Sequence, residues 1–303
     1  MGTTASPGAA AAGHPDAGGA VDQASSGALP NLIVIGAQKC GTSGLHYYLS
    51  LHPEISVSQP KELNFFIAER NWPLGLDWYR GHFDPRAVVR SEASPNYTAY
   101  PQHLDVPERM HSVVPDARLV YMVRDPIDRI AAHWVHNYAK HREKGDLRST
   151  LLHSNTSYLA RSHYHAQLQR FLRLYGREQL LVIEQQQLRT DRRETLRSVF
   201  EFAGVDPDFS DPGFAAERHR TSRKRRSTPI TRLVDGVDRR AGRVRAARFR
   251  ALVGSVIPFG RAIDLPDVRQ ALPDETLRSL REDAGRLREL TGLDLSHWSI
   301  WES

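Results

Sequence analysis

Lys39 sits in a turn bounded by Gly36 and Gly41, after the apolar run Leu32, Ile33, Val34, Ile35 and before Thr42 and Ser43. The run is short and rich in branched side chains, as a buried parallel strand is. Thr42 or Ser43 is a suitable first residue for a helix. Glycine lacks a Cβ, so the turn can adopt conformations closed to other residues and let an anion approach closely. The first N–H groups of a helix lack intrahelical partners and carry the positive end of its dipole. Strand, glycine turn with lysine, and hydroxyl-bearing helix start together make a phosphate-binding site. The plainer alternative is a strand–turn–helix junction that holds no ligand.

Arg124 ends the apolar run 118–123 and precedes Asp125-Pro126. An arginine at a strand end beside a helix start is a second anion site, and its planar fork suits a terminal phosphate. A structural Arg124–Asp125 pair is the competing reading. Glu62 lies in Lys61-Glu62-Leu63-Asn64-Phe65-Phe66, after Pro60. The aromatic pair must pack, which would pin Glu62 at the carboxyl end of a strand, where open α/β sheets bind ligands. Otherwise Glu62 is a surface acid beside a hydrophobic anchor. Glu92 and Ser94 either face a substrate or cap a turn.

The spacing argues against a Walker A loop, which requires lysine directly after the second glycine. Here Thr42 follows Gly41, and the strand that should end in an acid for Mg²⁺ ends in Val123-Arg124. His103 and His111 lack metal-ligand spacing, so no metal is expected. Cys40 reads as a small buried residue, because no histidine partner is placed by sequence.

These residues need a scaffold. Further strands are expected over 54–58, 87–92, 118–123 and 179–184. Helices are expected after Gly41, over 101–113, over 127–141 with Pro126 at its first position, over 157–175, and from Thr190 or Asp191 to Phe202 with Gly204 as the stop. Residues 145–156 read as a polar connection, and 67–85 as an aromatic covering segment. Alternating strand and helix from 31 to 204 implies one doubly wound parallel sheet. A helical, arginine-rich extension follows over 229–290, then a tail anchored by Trp298.

The chain has 303 residues, 40% apolar and 25% charged, with a net charge of +6. These are globular values, and the charge suits an anionic ligand. The basic run 217–226 has neither aromatic platforms nor a recognisable motif, so nucleic acid is not the expected partner. No stretch approaches the roughly 18 apolar residues of a membrane span. One cysteine excludes an internal disulfide framework and fits a reducing, cytoplasmic compartment. Residues 1–29 read as a disordered leader without signal-peptide features, and 30–303 as a single domain.

Taken in order, these stretches resemble the sulfotransferases that use 3′-phosphoadenosine 5′-phosphosulfate (PAPS), closest to the bacterial branch similar to heparan sulfate sulfotransferases. GAQKCGTS resembles their 5′-phosphosulfate loop, YMVRDPIDRIAAHWVHNY their 3′-phosphate segment, KELNFF the element bearing a catalytic glutamate, SEASPNY the next strand end, and LTGLDLSHW the bacterial tail. The resemblance implies a P-loop-kinase-like core with a central five-stranded parallel sheet flanked by helices. It also implies a metal-free transfer of the sulfuryl group from PAPS to a hydroxyl or amine of a carbohydrate, glycolipid or small molecule. Lys39 and Glu62 would be catalytic. Gln38, Lys39, Cys40, Gly41, Thr42, Ser43 and Arg124 would bind the nucleotide, with Lys224 and Arg225 closing over it. The chain departs from the pattern at Ala132, where a serine is usual, and at Ala93, where carbohydrate enzymes often have lysine; His133, His136 or the basic run 217–226 could compensate at the first. A histidine base, His111 or His133, is the alternative to Glu62.

Overall fold

Five of the apolar stretches form strands: β1 Leu32–Gly36, β2 Ile55–Val57, β3 Val89–Ala93, β4 Arg118–Val123 and β5 Leu180–Glu184. They make one sheet in the order β2-β3-β1-β4-β5, and every recorded pairing is parallel. β1 is buried along its whole length and β4 beyond Arg118, as expected for strands covered on both faces. The computed structural model describes Gly2 and residues 27–153, 156–216 and 263–302. The expected leader lies almost wholly outside those residues, and the basic run with Lys224 and Arg225 lies wholly outside them.

Helices flank the sheet: α1 Thr42–Leu49, α2 Gly75–Arg80, α3 Val106–Val113, α4 Pro126–Ala139, α5 Leu147–His153, α6 Thr156–Ala160, α7 Tyr164–Leu172, α8 Gln185–Thr190, α9 Arg192–Ala203, α10 Val268–Ala271 and α11 Asp274–Thr291. Local chemistry sets their ends. The Asp125 carboxylate accepts from the Ile127 N–H at 2.8 Å, with Pro126 in the first turn of α4. Gly204 and Gly292 close α9 and α11 in the left-handed conformation, at φ 78 and φ 70.

Chain order locates the ligand crevice. From β1 the chain runs towards the β2 edge, and from β4 it runs towards β5. Neighbouring strands whose connections leave in opposite directions create a topological switch point, and their carboxyl ends open a crevice. The turn holding Lys39 follows β1, and Arg124 follows β4.

Two sequence expectations need correction. Residues 145–156 are mostly helical: Asp146 accepts from the Ser149 N–H at 2.8 Å, and Leu147 is buried. A side-chain cap and one apolar anchor sufficed to fold a stretch that is polar in composition. The single helix expected over 157–175 is broken between α6 and α7. Arg161 and Ser162 turn inward there, and Ser162 Oγ accepts from Arg129 Nε at 2.5 Å while donating to the Tyr158 carbonyl at 3.1 Å. Neither glycine nor proline marks that break.

The tail docks on the ends of β4 and the edge strand β5. Trp298 is 2% exposed and donates its indole N–H to Glu184 Oε1 at 2.6 Å. His297 Nε2 lies 2.7 Å from the same oxygen, and the Ser299 N–H donates to Asp125. Trp298→Ala is expected to cost about 3–5 kcal/mol of stability through the cavity it leaves. Trp298→Phe keeps most of the packing and should cost about 1–3 kcal/mol, from the lost bond to a buried carboxylate. Denaturant unfolding of the two variants beside the native chain checks the order.

Candidate active site

The turn after β1 is short and tightly held. The Ala37 N–H donates to the Met122 carbonyl of β4 at 2.8 Å, and the Cys40 N–H returns to the Ala37 carbonyl at 3.1 Å. Gly41 precedes α1 with φ 97, and a Cβ there would lie 3.3 Å from both Gln185 Cγ and Met122 Cε. Glycine is therefore favoured at Gly41 by its left-handed conformation, with tight space around it besides. Gly36 is required for a different reason than the anticipated backbone freedom. A Cβ on it would fall 2.0 Å from Thr98 Oγ1. The first helical bond of α1 runs from the Gly44 N–H to the Gly41 carbonyl at 2.8 Å, leaving the Thr42 and Ser43 N–H groups at the helix mouth.

Lys39 itself has φ 75, an uncommon conformation for a residue with a side chain. Glu62 shares the feature at φ 67, and Asn64 at φ 49. Left-handed backbone at such residues costs on the order of 1–3 kcal/mol and persists only where surrounding contacts hold it. The contacts holding Glu62 are visible. Asn64 Nδ2 donates to the Glu62 carbonyl at 2.8 Å, the Asn64 N–H to Ser94 Oγ at 2.9 Å, and the Phe65 N–H to the Tyr97 hydroxyl at 2.9 Å. Phe65 and Phe66 are buried as anticipated, with Phe65 stacked on Tyr79 at 4.1 Å. The backbone of Glu62 is thus pinned while its side chain stays 43% exposed, with Oε1 2.9 Å from Lys61 Nζ.

Glu92, left open between substrate contact and turn cap, has a third role. It is fully buried and accepts from the hydroxyls of Ser94 at 2.5 Å, Tyr97 at 2.7 Å and Tyr79. Ser94 and Tyr97 in turn receive the loop N–H groups, so Glu92 anchors the segment that presents Glu62. Burial pushes its carboxyl above the usual range, against the pull of those hydroxyls. Ser94, Tyr97 and Tyr79 are close in sequence to Glu92, yet nothing in their spacing reveals the convergence.

Arg124, half-buried, does not pair with Asp125. Its Nη2 donates to Asp128 Oδ2 at 2.7 Å, one helical turn on, while Asp125 caps α4 and holds the tail. The Asp128 side chain is 57% exposed, and such a pair contributes about 0–1 kcal/mol. The guanidinium is therefore readily re-addressed to a phosphate.

Cys40 is buried with its Sγ 3.5 Å from the Tyr164 hydroxyl, and burial raises its pKa. Cys40 is thus the expected small buried residue, in surroundings that disfavour the thiolate. His133 is no surrogate cation for the position of Ala132. It is buried against Tyr158 at 4.3 Å, with Nδ1 3.5 Å from Arg129 Nη1, and burial beside that guanidinium holds it neutral. His111 packs on the Tyr175 ring at 5.2 Å. His136 is half-buried on α4. Ala93 closes β3, buried.

Sequence reasoning missed His46, Arg129 and Arg161. His46 lies on α1, 9% exposed, its Nδ1 without a hydrogen-bond partner among the described residues. Burial, then the Lys61 ammonium, lowers its pKa to about 4, with Glu62 opposing. Arg161 is buried against Gln38, with Glu62 acting on its charge. The field of Glu62 thus reaches both α1 and the side chain bound to the Lys39 turn. Lone histidines and arginines inside amphipathic segments carry no sequence signal for such placement.

A parallel α/β sheet whose switch point carries a turn lysine and a strand-end arginine is an arrangement suited to holding an anion at its strand ends. The sulfotransferase domain family model matches residues 29–235, and the chain belongs to that family. It is 31% identical over 202 residues to the human bifunctional heparan sulfate N-deacetylase/N-sulfotransferase 2, covering 59% of this chain and 22% of that protein. Its likeness to N-deacetylase/N-sulfotransferase 4 of Mus musculus is 30% over 204 residues, 60% of this chain and 23% of that one. The chain thus spans less than a quarter of the length of these curated relatives. A sulfotransferase from Alicyclobacillus acidocaldarius superposes with a TM-score of 0.62 at 27% identity, covering 89% of this chain and 99% of that one. The expected P-loop-kinase-like sheet is therefore the fold, and sulfuryl transfer the chemistry of the family. Among the described residues no cluster of three or more His, Cys, Asp and Glu could hold a metal, and no helix is long and apolar enough to cross a membrane.

The low pKa of His46 has a pH consequence. Unfolded, the imidazole titrates near 6.5; folded, near 4. Its contribution to stability is complete above pH 6.5 and is lost as pH falls from 6.5 through 4, by roughly 3 kcal/mol. His46→Gln should flatten that part of the acid limb in denaturant unfolding measured from pH 7 to pH 4.

Proposed function

We propose that the protein transfers the sulfuryl group of PAPS to a hydroxyl or amine of a carbohydrate, glycolipid or small-molecule acceptor. The observation that carries this reading is the adjacency of β1 and β4, which sets the Lys39 turn and Arg124 side by side at the switch point. The residues suit the nucleotide. The Gly41–Ser43 N–H groups and the Thr42 and Ser43 hydroxyls fit a 5′-phosphate, and the Gln38–Cys40 turn frames it. Arg124 fits the 3′-phosphate by giving up Asp128. Lys224 and Arg225 would close over that phosphate.

Bound there, PAPS supplies a sulfur centre whose bond to the 5′-phosphate oxygen breaks as a bond to the acceptor forms. Lys39 neutralises charge that builds on the bridging oxygen. Glu62, exposed on a pinned backbone, takes the acceptor's proton as the new bond develops. Its pairing with Lys61 keeps the carboxylate oriented until an acceptor arrives. His133 is unsuited to the alternative role of base, being enclosed between Arg129 and Tyr158. No residue here needs a metal, because an acceptor rather than activated water is the nucleophile. The heparan sulfate relatives favour a carbohydrate among these acceptors. The lone buried thiol agrees with a cytoplasmic setting.

Calorimetry with adenosine 3′,5′-bisphosphate should show metal-free binding, with AMP and Mg²⁺–ATP much weaker. Equal binding of all three, or of none, overturns the reading. Glu62→Gln is expected to lower PAPS turnover about 10²–10⁴-fold while bisphosphate affinity survives. Loss of affinity would instead make Glu62 structural. Lys39→Ala should lower turnover at least as far.

A further inference from the structure

Arg161, in the break between α6 and α7, is 4% exposed and makes no recorded hydrogen bond to a carboxylate among the described residues. Its Nη1 donates to Gln38 Oε1 at 3.3 Å and Asn96 Oδ1 at 2.9 Å, and its Nη2 to Gln102 Oε1 at 2.6 Å. A guanidinium only donates, so each amide must present oxygen to it. That choice sets the direction of the remaining bonds. Asn96, its oxygen spent, donates Nδ2 to Asn64 Oδ1 at 3.0 Å, and Asn64 donates Nδ2 to the Glu62 carbonyl at 2.8 Å. Gln38 adjoins Lys39, and both Glu62 and Asn64 hold left-handed backbone.

We infer that Arg161 is a positioning residue that ties the Lys39 turn to the Glu62 loop through Asn96 and Asn64, so that occupying the nucleotide site stiffens the loop bearing the base. This rests on the roles proposed above for Lys39 and Glu62. Arg161 is 4% exposed, and its Nη groups are engaged by Gln38, Asn96 and Gln102, so its contacts run to amide oxygens. It acts through the amides, and one end of its fork holds the Lys39 turn while the chain from the same nitrogen ends on Glu62. Lysine, a single ammonium on a flexible stem, cannot span Gln38, Asn96 and Gln102 together.

The test is hydrogen exchange of the full chain by mass spectrometry, with and without adenosine 3′,5′-bisphosphate, beside calorimetry of that compound. In the native protein, bisphosphate should slow exchange over residues 62–66 by about tenfold. Arg161→Gln and Arg161→Lys should keep bisphosphate affinity within about threefold yet lose that slowing. PAPS turnover should fall on the order of tenfold to a hundredfold in kcat, with KM for PAPS little changed. Asn64→Gly cuts the chain while suiting φ 49 and leaving the buried charge alone, so it keeps the test intact should Arg161→Gln fail to fold. It should also lose the slowing. Bisphosphate binding by the native chain without slowed exchange at 62–66 overturns this inference alone, as does slowing that persists in Asn64→Gly or Arg161→Lys. No bisphosphate binding at all overturns the nucleotide reading and this inference with it.

Discussion

The backbone pairing of β1 with β4 sets how the Lys39 turn and Arg124 emerge relative to each other. Leu32 lies opposite Arg118, Ile33 opposite Leu119 and Val34 opposite Val120, and beyond a register shift Gly36 lies opposite Tyr121. Parallel strands in register end together, so their following residues emerge on one edge about 5 Å apart in the sheet. The shift at the end of β1 is a local irregularity of the kind that re-aims a chain as it leaves a sheet. It coincides with the only place where Thr98 and Tyr121 press on a glycine, Gly36, among the described glycines lacking positive φ in this turn. The turn is thus aimed by packing from β4 and from the segment after β3, and its lysine inherits that direction.

Two buried charges of opposite sign hold the surrounding loops without touching each other. Glu92 is ringed by hydroxyls and Arg161 by amide oxygens. Burial raises the pKa of the acid and lowers that of the base to about 9. A direct ion pair between them would relieve both shifts but would leave the hydroxyls and amides, and the loop N–H groups they carry, without partners. Kept apart, each charge organises a polar shell, and both shells end on the Glu62 loop. Asn64 belongs to both: its N–H answers to Ser94, its side chain to Asn96.

Periodicity was enough to find β4, which spans the expected 118–123, and β1, β3 and β5 within a residue or two. The placement of Lys39, Gly41, Thr42 and Arg124 at two neighbouring strand ends was legible because each is marked by local features: a turn, a helix start, the last residue of an apolar run. The Glu62 loop was legible only through Phe65 and Phe66, whose need to pack implied a fixed backbone. What escaped was non-local. Arg161 reaches Gln38 across 123 positions and Asn96 across 65, distances at which no spacing rule operates. The break at Arg161–Ser162 escaped for the same reason, since an inward arginine bound to distant amides outweighs a favourable helical pattern. Gly36 was found but explained wrongly, because the side chain that excludes a Cβ there, Thr98, is 62 residues away.

The division of labour between Asp125 and Asp128 follows from depth. Asp125 is buried at the start of α4, where its carboxylate receives the Ile127 and Ser299 N–H groups. A carboxylate at a helix start is stabilised by the dipole and by the bonds it accepts. Each of its oxygens already accepts a backbone N–H, and had it also taken Arg124, that guanidinium would be locked in a buried pair costly to break. Asp128, one turn on and mostly in solvent, can orient Arg124 and yet surrender it at small cost. Glu184 repeats the pattern at the end of β5, spending one of its two oxygens, Oε1, on both His297 and Trp298 of the tail. The tail therefore rests on two acids at adjacent strand ends, while Arg124, next to one of them in the chain, keeps only a weak and largely exposed partner.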